Sequence, residues 1–69
     1  MARNDKRIKR VAKSLEFYKD SQLKEAGPVD PDTVTDFLTD LRHYCERHNL
    51  DVYALLDCSY NHYLAERRT

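Results

Sequence analysis

Four side chains of zinc-binding type stand at short spacings: Cys45 and His48 as C-x2-H, Cys58 and His62 as C-x3-H. Thiolate and imidazole are the ligands zinc prefers, so the set invites a metal-site reading. Geometry argues against it. If the segments on either side of Asn49–Leu50 are antiparallel helices, His48 sits at the turn while His62 lies opposite Leu38, about 15 Å away along the axis. Four ligands so spread do not converge on one ion. Cys45 and Cys58 are also out of register, too far for an easy disulfide. Cys45 reads as a small core residue, Cys58 as a flanking thiol, and His43, His48 and His62 as packing or surface histidines.

A second constellation is acidic. Asp32, Asp36 and Asp40 recur every four residues and stack on one helix side together with His43. Three carboxylates on one exposed helix lack the converging oxygens a hard cation requires. Such a stripe costs a few tenths of a kcal/mol per adjacent pair, which leaves a solvated face or docking of a basic surface as its uses. The third constellation is basic. Arg3, Lys6, Arg10 and Lys13 share the polar side of the first helix with Phe17. Cations around an exposed aromatic suit a phosphate backbone and a stacked base, and they equally suit a protein partner. Glu16 and Asp20 dilute the patch, which favours a solvated or protein-facing surface.

Charge is sorted along the whole chain. Residues 1–27 hold eight Lys/Arg and four Asp/Glu, residues 28–69 four and eight, within a net charge of zero. This split points to oriented contact with a partner or another copy of the chain, since solubility alone needs no such sorting. Catalysis finds no support: there is no glycine-rich phosphate loop, no G-x-S-x-G and no acid–base pair that spacing brings together. We therefore expect no enzyme, no cofactor, no metal and no small-molecule substrate. No stretch reaches the length of an apolar membrane span, and no apolar signal core follows the N-terminal charges. Two cysteines without a secretion signal suggest free thiols in a cytoplasmic protein.

The elements that must carry these residues are helices. With 69 residues, one Gly and two Pro, the chain has few breakers and reads as a single all-α domain of three helices. Helix 1, about 5–26, is long and basic and turns Ile8, Val11, Ala12, Leu15 and Tyr18 to one side. Gly27-Pro28 is its stop signal. Helix 2, about 31–48, begins with Asp30 as cap, Pro31 in the first turn and Asp32 beside it. Asn49 suits the left-handed residue after that helix, with Leu50 as its apolar follower. Asp51 caps helix 3, about 52–67. Helices 2 and 3 are expected to form an antiparallel hairpin whose core is Val34, Phe37, Leu38, Leu41, Tyr44, Leu55, Leu56 and Tyr63. A second stripe of Tyr53, Tyr60 and Leu64 gives helix 3 an apolar arc wide enough for two neighbours. A compact three-helix unit that dimerises accommodates it.

Cys45, Asn49, Leu50 and Leu55 also fit helix-turn-helix spacing, with Asp51–Leu64 as the reading helix and Asn61 and His62 facing bases. Asp51 and Asp57 make that helix acidic, a poor match to phosphate. The alternative nucleic-acid surface is thus Lys6, Arg7, Arg10 and Lys13, with Asn61 if the hairpin reads bases. The runs Asp36–Cys45, Asn49–Val52 and His62–Glu66 resemble small uncharacterised helical proteins of bacterial phages and plasmids. That resemblance covers the C-terminal half, leaves out residues 1–29, and implies a mobile-element origin and a hairpin scaffold with no defined active site. The function expected is a non-enzymatic regulatory module, a homodimer that binds a larger bacterial protein complex. Its contact residues are Lys6, Arg10, Lys13, Phe17, Asp32, Asp36 and Asp40.

Overall fold

The structure is a computed structural model that describes residues 2–67, with side chains described from Asn4 onward; the side chain of Arg3 lies outside them. The chain is all-α. Helix α1 spans Ala2–Phe17 and continues as a π-helical segment, Tyr18–Gln22; α2 spans Pro31–Arg47 and α3 Val52–Arg67. No strand occurs among the described residues, and no helix is long and apolar enough to cross a membrane.

Helix starts and stops follow local chemistry. Asp30 caps α2: its Oδ1 accepts the Thr33 N–H at 2.9 Å, while Thr33 Oγ1 accepts the Asp30 N–H at 3.4 Å. These reciprocal bonds form a capping box, with Pro31 at the first helical position. At the other end, Asn49 is left-handed with φ 57°. The Leu50 N–H reaches the Cys45 carbonyl at 2.8 Å and the Asn49 N–H reaches that of Glu46 at 3.3 Å. This pair of bonds is the Schellman stop expected for Asn49-Leu50. Asp51 Oδ1 then accepts the Tyr53 and Ala54 N–H groups at 3.1 and 3.2 Å and starts α3.

Helix 1 ends earlier than its sequence suggests. The chain leaves helix after Gln22, and the left-handed residue is Lys24 at φ 59°, with Gly27 at φ 97° further along the loop. The Leu23 N–H bonds back five residues to Tyr18 and the Glu25 N–H bonds back to Lys19. The wider π turn carries the chain around so that Lys19 is buried against α2.

The helices close a frame rather than a bundle. α2 and α3 join at the turn after Arg47, where the Arg42 guanidinium lies over the Tyr53 ring, 5.5 Å from its centroid. α1 bridges them, with Arg7 on Glu66 of α3 at 2.7 Å and Tyr18 packed edge-on against Phe37 of α2 at 5.2 Å. The result is a plate of 37 × 33 × 16 Å. Stable domains pack their layers around an apolar core, and among the described residues only Lys19, Thr33 and Cys45 are buried here.

The expected core is therefore absent from the single chain. Val34, Phe37, Leu38, Leu41, Tyr44, Leu55, Leu56 and Tyr63 all remain exposed, and the exposed large apolar residues run from 36% at Leu41 to 69% at Tyr53. Among the described residues the sole buried apolar side chain is Cys45, at 3%. The compact three-helix unit is corrected accordingly: the helices do not close on these residues. The chain keeps 6181 Å² accessible. A folded monomer of its 8.2 kDa exposes about 4,500 Å².

Candidate interaction surface

The basic face of α1 is present and open. Lys6, Arg10 and Lys13 are exposed, and Phe17 stands 60% accessible among their turns. Phe17 is not covered by either terminus within the described residues. Arg7 is different, because it is held by Glu66 at 2.7 Å. An arginine braced this way ties α1 to α3 and is less free to follow a phosphate backbone.

The acidic stripe is partly used inside the chain. Asp32 and Asp36 are exposed on α2, but Asp40 accepts a hydrogen bond from the Tyr18 hydroxyl. The free outer face expected for all three carboxylates is thus reduced by one. Accepting that bond, the Asp40 carboxylate pushes the Tyr18 phenol up from 10.0 to about 12, helped by Asp36 and Glu25 nearby. The phenol stays protonated at neutral pH and serves as a donor. Beside it lies a cleft of about 260 Å³, walled by Phe37, Leu41 and Tyr44.

A polar knot that the sequence did not announce fixes the α1–α2 junction. Lys19 is only 7% accessible, and its Nζ donates to Thr33 Oγ1 at 3.3 Å. Asp30 Oδ2 at 3.7 Å and Glu25 Oε1 at 3.8 Å supply counter-charge. Thr33, at 1% accessible, passes its own hydroxyl proton to Asp30 Oδ1 at 2.9 Å. A cation beside the positive end of α2 is unfavourable alone, and the capping carboxylate reverses that sign. Two bonds from Thr33 and the nearby Lys19 hold the Asp30 carboxyl below its ordinary range. Only the threonine three residues after Asp30 could have signalled this cluster.

The cysteine and histidine residues do not assemble. Cys45 is buried on α2, the His48 ring lies tilted against Tyr44 with centroids 4.4 Å apart, and His43 is exposed. Cys58 Sγ lies 3.8 Å from His62 Nε2, one turn apart on exposed α3. Asn61, the base-reading candidate, is also exposed there. Among the described residues no group of three or more His, Cys, Asp or Glu is placed to hold a metal.

A groove of about 760 Å³ runs along α1. Ile8, Val11, Ala12 and Leu15 form one wall, Pro28 and Val29 the other, with Glu16 and Asp20 on the rim. Its lining is mostly apolar, and its main wall is a helix stripe three to four residues in period. No family model, curated protein or solved structure is significantly similar to this chain.

Proposed function

We propose that this protein is a non-enzymatic, helical protein-binding module that regulates a larger bacterial complex, in keeping with a phage or plasmid origin. The observation that carries the reading is the apolar surface left open on all three helices, from Ile8 on α1 to Tyr63 on α3. Contiguous exposed apolar surface on a small soluble chain marks sites of protein contact. The titratable groups that do meet support the same view. Lys19 with Asp30 braces two helices, and Tyr18, with its proton secured to about pH 12, is no general base.

The partner-facing surface is the polar side of α1, where Phe17 stands among Lys6, Arg10 and Lys13, together with Asp32 and Asp36 on α2. An aromatic anchor inside a charged rim is a common hot-spot arrangement. The test is capture from bacterial lysate with Phe17→Ala and with Lys6→Glu/Arg10→Glu as controls. A partner that depends on Phe17 supports the reading; a partner held equally by all variants rejects this face.

The exposure of Lys6, Arg10 and Lys13 around Phe17 also suits nucleic acid. Titration of labelled duplex and single-stranded DNA at two ionic strengths separates the two readings. Neutralised phosphates give affinity that falls steeply with salt. The protein-binding reading expects no such dependence.

A further inference from the structure

The geometry points to a second copy of this chain as the occupant of the α1 groove, its own α1 lying antiparallel across Ile8, Val11 and Leu15. The inference rests on the protein-binding reading and names one of its partners. Three observations converge on it. The first is area. The accessible surface exceeds that of a typical folded monomer of this mass by about 1,600 Å². If two copies covered that excess mutually, the buried total would fall in the range of obligate homodimers, about 2,000–5,000 Å².

The second is shape. The three helices enclose almost no apolar side chain, and a second copy supplies the covering layer that a helical domain requires. The groove wall is also self-complementary. A two-fold axis near Val11 and Ala12 brings Ile8 of each copy opposite Leu15 of the other, so the same stripe fills both grooves. An isologous contact of this kind closes on itself and leaves no free end for further growth.

The third is charge. In the N-terminal half of α1 the stripe is flanked by Arg7 and Lys9, while Glu16 and Asp20 line the groove towards the other end. Parallel pairing stacks the basic turns on one another. Antiparallel pairing sets each basic end over the acidic rim of the other copy, which is why orientation is part of the inference. Phe17, Lys6 and Lys13 lie off this stripe and stay available for the external partner.

Sedimentation equilibrium of the full chain, over a range of protein concentrations, tests the pairing. Expected is a dimer whose dissociation constant rises at least tenfold with Val11→Glu and is unchanged by Phe17→Ala. Val11 already stands exposed in the single chain, so circular dichroism should show that its variant keeps helix content. Orientation is read by oxidative cross-linking in a Cys58→Ser background. Ile8→Cys mixed with Leu15→Cys should cross-link faster than either variant alone. A folded monomer at every concentration, a dimer indifferent to Val11→Glu, or faster cross-linking of each cysteine variant with itself would overturn the inference. None of these results touches Phe17-dependent capture, so the two proposals fail separately.

Discussion

The Thr33 hydroxyl makes three hydrogen bonds to two neighbours: it accepts from Lys19 Nζ and the Asp30 N–H and donates to Asp30 Oδ1. Thr33→Val keeps the volume and removes all three bonds, leaving a buried ammonium short of a partner. We expect a loss of about 1–3 kcal/mol in urea unfolding, with Thr33→Ser recovering most of it. Tyr18 offers a pH test at the same junction. Its folded pKa is raised from 10.0 to about 12, so the stabilisation is fully present below pH 10 and disappears as pH climbs towards 12. Tyrosinate absorbance should show one of the five tyrosines ionising late, and Tyr18→Phe should abolish that late step.

At the scale of elements, local chemistry explains where α2 and α3 begin and end. Asp30, Pro31, Asn49 and Asp51 each act within a few residues of themselves, and each was readable from its type and neighbours. Asn49 is the position to test, because φ 57° is tolerated by Asn and Gly and disfavoured by a branched side chain. Asn49→Gly should leave the melting temperature within a few degrees of the parent. Asn49→Val should cost about 1–2 kcal/mol, measured by thermal unfolding. The end of α1 was not readable in this way. Gly27-Pro28 is a sound stop signal, yet the helical turns end at Gln22, in the π segment Tyr18–Gln22 that carries the buried Lys19.

For the molecule as a whole, the decisive property is the imbalance between apolar content and burial. The heptad-like spacing of Val34 through Tyr44 and the wide arc of α3 describe side chains built to be covered, and one chain leaves them open. A dye that fluoresces on apolar surface should therefore bind strongly at low protein concentration and weakly at high concentration. The melting temperature should climb over the same range, as mass action requires when folding and pairing are linked. A melting temperature independent of concentration would contradict the linkage.

Helix identity, caps and the Asn49 turn were determined by sequence alone, because hydrogen bonds between residues three to six apart depend on nothing distant. The same holds for the basic face around Phe17, a matter of helical periodicity. Only the tertiary structure decided that Lys19 is buried, that Asp40 accepts the Tyr18 hydroxyl, and that Leu41 and Leu55 are left exposed. Those outcomes depend on the angles at which three rods meet. Periodicity tells each rod which side is apolar, and it carries no information on whether that side meets its own chain or another.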